Sequence, residues 1–200
     1  MAMNGQAPGA FDGVSLVIPA YNEAGNIRPA VELALPVLQS LHPAHELIVV
    51  ESGSTDRTGA ILDELAAAHP ALRVIHQGAK LGLGSALIEG FGAARYEQLL
   101  YIDGDNPYDI TEFRHALPLL KECDIVNGFR LSRNDPWVRR LYTALFRVAM
   151  RWLFNVRLRD ANIGFKLMRR SVIQSLRLTS RGFLIDAELL IKAKSFSCSM

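Results

Sequence analysis

Five short apolar runs rich in branched residues punctuate the first two thirds of the chain. They are Val14-Ser15-Leu16-Val17-Ile18, Glu46-Leu47-Ile48-Val49-Val50, Arg73-Val74-Ile75, Gln98-Leu99-Leu100-Tyr101-Ile102 and Asp124-Ile125-Val126. Runs of this length and composition mark strands buried on both faces. Between them the apolar positions shift to helical spacing: residues 60–68 follow the cap candidates Ser54, Thr55 and Asp56, and residues 85–96 and 110–121 show the same periodicity. Strand alternating with helix predicts an α/β fold with a mostly parallel central sheet flanked by helices. Past Gly128 the alternation fades into a long helix and less regular elements. No Pro/Gly/Ser-rich linker or internal repeat divides the chain, so residues 1–200 are expected to form a single domain.

Ligands of open parallel sheets bind beyond the carboxyl ends of the strands. Those ends carry polar, turn-forming residues here: Pro19-Ala20-Tyr21-Asn22-Glu23 after the first strand, Glu51-Ser52-Gly53-Ser54-Thr55-Asp56 after the second, and Asp103-Gly104-Asp105-Asn106 after the fourth. Asp103 and Asp105, separated by one flexible residue, can converge on a divalent cation and through it on a diphosphate. Oxygen ligands favour Mg²⁺ or Mn²⁺ over zinc. The segment Lys80-Leu81-Gly82-Leu83-Gly84-Ser85 opens a helix with glycines, where free N–H groups and the positive helix end suit phosphate oxygens. It is not a dinucleotide fingerprint, because Leu87 stands at the third glycine position and the segment follows the third strand. No Walker lysine loop and no Gly-x-Ser-x-Gly elbow occurs, which argues against P-loop NTPase and serine hydrolase chemistry. His42 and His45 flank Pro43 in what is best read as a solvated turn, and His69, His76 and His115 suggest no role.

Half of the 200 residues are hydrophobic and 21% are charged, with fifteen Gly and two Cys, a composition that excludes disorder, collagen and small disulfide scaffolds. Cys123 and Cys198 lack metal-ligand spacing and fit a reducing compartment. The apolar runs fall short of the roughly 18 residues a membrane span needs, and the N-terminus lacks the pattern of a signal peptide, so a cytoplasmic location is expected. Charge is unevenly spread. Residues 128–181 hold thirteen Arg and Lys against two acids, a net +11 that leaves −9 for the rest of a chain whose total is +2. Such a block anticipates an anionic partner or surface. Within it, Val138, Leu141, Tyr142, Leu145, Phe146, Ala149, Trp152 and Leu153 recur at helical spacing opposite Arg140, Arg147 and Arg151. A basic amphipathic helix over residues 137–154 suits the interface of an anionic membrane; the same stripe could instead pack on the sheet.

Six segments, in order, resemble the inverting glycosyltransferases of family 2, and among them the dolichyl- and polyprenyl-phosphate mannose and glucose synthases. They are Val17-Ile18-Pro19-Ala20-Tyr21-Asn22-Glu23, Glu51-Ser52-Gly53-Ser54-Thr55-Asp56, the stretch KLGLGSALIEG at 80–90, Asp103-Gly104-Asp105, DANIGFKLMRR at 160–170, and Gly182-Phe183 through Glu188-Leu189. The resemblance implies a GT-A-type nucleotide-binding fold. Residues 14–128 would form the nucleotide-sugar-binding part and 129–200 the acceptor- and membrane-facing part. It further implies that Pro19, Ala20, Tyr21, Glu23, Glu51, Ser52, Lys80, Gly82, Asp103 and Gly104 bind a nucleoside diphosphate sugar, with Asp103 and Asp105 holding the metal. Arg130, in Gly128-Phe129-Arg130, and Lys166 become the candidates for the acceptor phosphate.

This chain departs from the family pattern in three places. Glu51-Ser52 replaces an acidic pair, which bears on base recognition. Asn106 stands where many relatives carry Gln or another residue, a milder change. The sequence also stops before the Glu-x-Pro strand and basic segment expected next, as a truncated product would.

The activity implied is transfer of a hexose, with inversion, to a lipid phosphate at the cytoplasmic face of a membrane, without nucleic acid. Asp103, Asp105 and Arg130 would be the catalytic residues. Two rivals are a sugar-nucleotide nucleotidyltransferase, which should carry a Gly-rich, Arg-containing loop after its first strand, and a non-catalytic nucleotide-sugar-binding relative.

Overall fold

The computed structural model describes residues 12–104, 109–128 and 163–195, together with Trp137, Ala144, Leu145, Val148, Arg151, Trp152 and Phe154, each of which is helical. Six strands form one sheet: β1 (Val14–Ala20), β2 (His45–Glu51), β3 (Leu72–His76), β4 (Gln98–Ile102), β5 (Ile125–Asn127) and β6 (Phe165–Arg169), in the order β3-β2-β1-β4-β6-β5. The pairs β1·β2, β1·β4 and β2·β3 are parallel, and β6 runs antiparallel to both β4 and β5. The mostly parallel sheet expected from the sequence is therefore present.

Side-chain alternation along these strands feeds two apolar layers. Val14, Leu16, Ile18 and Ala20 of β1 join Leu47, Val49, Leu100 and Ile102 on one face. Helix α1 (Ile27–Leu41) covers that face with Ile27, Val31, Ala34 and Leu38, at a spacing that keeps them on one side. Helix α2 (Thr58–Ala68) adds Leu62 and Leu65 to the same layer. On the other face Val17, Ile48, Val50, Leu99 and Tyr101 meet α3 (Leu83–Ala93), α5 (Arg170–Ser175) and α6 (Ile185–Ser195). Two covered faces explain why the strands read as near-continuous apolar runs.

The structure differs from the expected helices in two regions. Residues 110–121 do not form one helix: a 3₁₀ turn at Ile110–Glu112 leads into the single turn α4 (Phe113–Ala116) and a second 3₁₀ stretch at Leu117–Lys121. Pro118 lacks an amide hydrogen and its ring crowds the preceding turn, which prevents a continuous α-helix. The helix expected at 85–96 starts two residues earlier and ends at Ala93, where Ala94 turns to extended backbone. Of the proposed caps of α2, Asp56 accepts from the Thr58 amide at 2.9 Å, whereas Ser54 and Thr55 bond the loop after β1 instead.

The isolated helical residues bear on the 137–154 segment. Trp137 is 75% exposed, Trp152 83%, Leu145 57% and Val148 55%. These side chains do not pack into the sheet.

Candidate functional site

The carboxyl ends of β1, β2 and β4 open into a cleft of about 760 Å³, a volume usual for small-molecule sites. Pro19 and Ala20 line it from the last residues of β1, Tyr21 and Glu23 from the loop that follows, Ser52 from the end of β2, Asp103 and Gly104 from the end of β4, and Lys80 and Gly82 from the approach to α3. Nine of the expected donor-site residues thus meet in one place. Asp105 and Arg130 lie outside the described residues.

Polar side chains stitch the first two loops together. The Asn22 amide donates to Ser54 Oγ at 3.0 Å and the Thr55 amide to Asn22 Oδ1 at 2.8 Å, while the Glu23 and Ala24 amides donate to Thr58 Oγ1 and Asp56 Oδ2 at 2.8 and 3.1 Å. Asn22 occupies the left-handed region at φ 56°, which asparagine tolerates better than most residues. The Ser-Thr-Asp segment therefore fixes the backbone that presents Tyr21 and Glu23. Across from them, the Lys80 ammonium sits 3.9 Å from the centre of the Tyr21 ring, a cation–π contact that keeps a positive charge on the cleft wall.

Glu51 does not line the cleft. Its carboxylate is turned back on its own loop, accepting the Ser54 amide hydrogen and facing His76 Nδ1 at 3.1 Å. Burial raises the Glu51 pKa, but the Ser54 bonds and the His76 imidazole outweigh it and hold the carboxyl below its ordinary value. His76, also 3.0 Å from Asp63, is raised chiefly by its bond to Glu51, against burial and with help from Asp63. Ser52 remains on the cleft wall and donates to Gln77, whose amide donates to Glu89 at 2.8 Å. Of the two residues that stand in place of an acidic pair, Ser52 thus presents a neutral hydroxyl on the cleft wall, backed by Gln77. Nothing in the spacing of His76 or Gln77 marked them in advance, because their roles arise from β2 and β3 lying side by side.

Asp103 emerges directly from β4. The Tyr101 hydroxyl donates to Asp103 Oδ1 at 2.8 Å, and the Asp103 amide bonds the Gly164 carbonyl at 3.1 Å. A β-carbon at Gly164 would collide with the Asp103 carboxylate, so this close approach needs glycine. Carboxylate oxygen is a donor suited to Mg²⁺ or Mn²⁺. Among the described residues no group of three or more His, Cys, Asp or Glu converges.

Lys166 occupies a different place from that expected of a phosphate ligand. It is fully buried on β6, paired with Tyr101 across the sheet, and its ammonium lies 2.7 Å from Asp186 Oδ1. It also donates to the Ile163 carbonyl and lies 5.4 Å from the Tyr101 ring centre. With no exposed surface, it acts here as a counter-charge within the wall. Asp186, in the first turn of α6, does line the cleft, as do Gly182 and Phe183. The segment 182–189 reads as a motif in the sequence, but only the fold shows that Asp186 brings a third carboxylate to the cleft that Glu23 and Asp103 line.

The loop before α6 is anchored by Glu188. Its carboxylate accepts from the Thr179 amide and hydroxyl at 3.0 and 2.9 Å and from the Ser180 amide at 2.7 Å, and it pairs with Lys192 at 2.7 Å. Burial pushes the Glu188 pKa up, yet Lys192, Ser180 and Thr179 together draw it from the ordinary 4.5 down to about 2. A depressed carboxyl stabilises the folded state fully above its unfolded pKa and loses that contribution as pH falls through its folded pKa. Glu188 stabilisation is therefore complete above pH 4.5 and declines toward pH 2. Urea denaturation across that window should show a shallower pH dependence for Glu188→Gln than for the parent chain.

The model of the family described as glycosyl transferase family 2 matches residues 15–177. Polyprenol monophosphomannose synthase of Mycolicibacterium smegmatis is 31% identical over 191 residues, covering 89% of this chain and 71% of that protein. Glycosyltransferase AglD of Haloferax volcanii is 33% identical over 191 residues, covering 90% of this chain, which spans only 31% of AglD. Among solved structures, Mycobacterium tuberculosis glucosyl-3-phosphoglycerate synthase with phosphoglyceric acid superposes with a TM-score of 0.70 at 26% identity, covering 92% of this chain and 66% of that one. The same enzyme with Mn²⁺, UDP-glucose and glycerol 3-phosphate gives a TM-score of 0.66 at 26% identity, with 92% and 65% covered.

Proposed function

Because the chain belongs to glycosyl transferase family 2, we propose that it transfers a hexosyl group, with inversion, from a nucleoside diphosphate sugar to a lipid phosphate. The observation that carries this reading is the convergence of Asp103, Lys80 and the loops after β1 and β2 on one cleft at the carboxyl edge of the sheet. The relative named as a polyprenol monophosphomannose synthase supports the choice of acceptor.

Tyr21, Glu23 and Ser52 would bind the nucleoside, and Lys80 and the amides at the start of α3 the diphosphate. Asp103 and Asp105 would hold Mg²⁺ or Mn²⁺, which supplies charge neutralisation for the departing diphosphate. The solved relative that contains Mn²⁺ and UDP-glucose supports a divalent cation. Tyr101 fixes one oxygen of Asp103 and so sets the direction of the other. The acceptor needs little activation, since a monoalkyl phosphate with a second pKa of about 6 is mostly dianionic at neutral pH. Arg130 would hold that phosphate for in-line attack at the anomeric carbon, and Lys166 would act at one remove by keeping Asp186 in place.

The exposed Trp137, Leu145 and Trp152 support a peripheral contact of these residues with a membrane surface. No helix among the described residues is long and apolar enough to cross a membrane.

The test is to incubate the chain with a labelled nucleoside diphosphate hexose, a short prenyl phosphate and Mn²⁺, and to read the anomeric configuration of the product by NMR. An inverted glycosyl prenyl phosphate is expected; a product of retained configuration contradicts the proposal. In the same assay Arg130→Ala should raise the acceptor KM by roughly 10- to 100-fold, the worth of a charge-assisted hydrogen bond, and leave donor affinity unchanged.

A further inference from the structure

The mouth of the cleft carries apolar side chains that the donor site does not use. Phe183 lines the cleft yet is 84% exposed; its neighbour Leu184 is 67% exposed and Leu81 46%. They come from two loops that abut. The Ser85 amide donates to the Arg181 carbonyl at 3.3 Å, and a β-carbon on Gly82 would lie 2.5 Å from that same oxygen. Gly82, at φ 93°, is also in a conformation that favours glycine, and a β-carbon on Gly84 would strike the Ser180 carbonyl. Glycines at 82 and 84 therefore let the 80–83 and 180–184 segments touch, and Glu188 holds the second from behind through Thr179 and Ser180. Phe183 and Leu184 stand on a segment that is tied down on two sides, so their exposure belongs to the folded state.

Large apolar groups held in water at the rim of a polar cleft mark a binding surface. We propose that Leu81, Phe183 and Leu184 form a subsite for the hydrocarbon chain of the acceptor, receiving the isoprene units next to its phosphate. This inference rests on the lipid-phosphate reading above and specifies where the lipid leaves the cleft. The related structures hold small polar phosphates, phosphoglyceric acid and glycerol 3-phosphate. An exposed Phe-Leu pair gains nothing from such molecules, whereas a prenyl chain anchored by its phosphate must pass over the rim and can cover it. The flanking cation Arg181 suits the anionic end of the same ligand.

The experiment uses the full chain, monomeric prenyl phosphates of one, two and three isoprene units below their aggregation limit, and 3-phosphoglycerate as a polar acceptor. Burial of hydrocarbon at the rim should lower KM by at least roughly tenfold from one unit to three. Leu81→Ser/Leu184→Ser alters two exposed residues outside the cleft lining. It should cut the chain-length gain to less than about threefold, raising KM most for the three-unit acceptor and least for the one-unit acceptor. Phe183→Ser should lose the gain as well.

Transfer to prenyl phosphates without chain-length dependence, or with a dependence that survives both variants, overturns the subsite while leaving the lipid-phosphate reading intact. A chain-length gain seen only when phospholipid vesicles are added also overturns it, and makes the rim a membrane contact. Transfer to 3-phosphoglycerate with none to any prenyl phosphate overturns both.

Discussion

Asp103→Asn is expected to reduce kcat for hexosyl transfer by a factor on the order of 10³ or more, with the fold intact. The substitution keeps the size of the side chain and its ability to accept from Tyr101, but removes the charge that would hold a divalent cation against the diphosphate. Losing one preorganised electrostatic contact to developing charge typically costs about 10²–10³ in kcat, and loss of a metal ligand affects the whole leaving group. Tyr101→Phe should fall between the two, because it leaves the carboxylate charged and removes only the bond that orients it. Steady-state kinetics with saturating Mn²⁺, alongside circular dichroism and thermal melts to show that folding is retained, would establish the order parent, Tyr101→Phe, Asp103→Asn.

Lys166→Met is expected to have the largest effect on stability. The ammonium is fully buried and its partner Asp186 nearly so, and their separation of 2.7 Å leaves no room for water between them. Removing one member of a buried pair strands the other charge and costs about 3–5 kcal/mol, whereas replacing both with apolar groups is often neutral. Lys166→Met/Asp186→Leu should therefore recover much of the loss seen in Lys166→Met alone, as measured by urea denaturation at neutral pH. The recovered double variant should still be impaired in catalysis, because Asp186 lines the cleft. Equal stability of the parent and Lys166→Met would show that the pair contributes nothing to folding.

Lys166 also shows where a sequence stops being legible. The strand Gln98–Ile102 and the carboxylate that follows it can be read from a run of apolar residues and the Asp-Gly turn, because both signals are local. The same holds for the strand-loop junctions at Pro19 and Ser52. The position of Lys166 is not local. Its strand β6 returns antiparallel beside β4, placing Lys166 opposite Tyr101, and a lysine amid an arginine-rich stretch gives no sign that it will be buried. Asp186 is hidden for the same reason, since its role depends on α6 packing over that end of the sheet.

Helix α1 eluded the periodicity because Pro29 and Pro36 interrupt a pattern that tertiary burial of Ile27, Val31, Ala34 and Leu38 nevertheless enforces. Glu51 was a reasonable candidate for the nucleoside, given its place at the end of β2. The structure turns it toward His76 and Ser54 because the neighbouring strand β3 brings His76 within reach. Local chemistry thus located the cleft, whereas the partners that set the state of each side chain came from strands distant in sequence.

The proposed function requires this cleft to bind a nucleoside diphosphate sugar through a divalent cation at Asp103. Isothermal titration of GDP-mannose and UDP-glucose into the chain, with Mn²⁺, with Mg²⁺ and with EDTA, and the same series with Asp103→Asn, tests it most directly. Binding of at least one sugar nucleotide to the parent chain, weakened at least tenfold by EDTA and made independent of the cation by Asp103→Asn, is the expected result. Equal affinity with and without the cation, in both proteins, would contradict it.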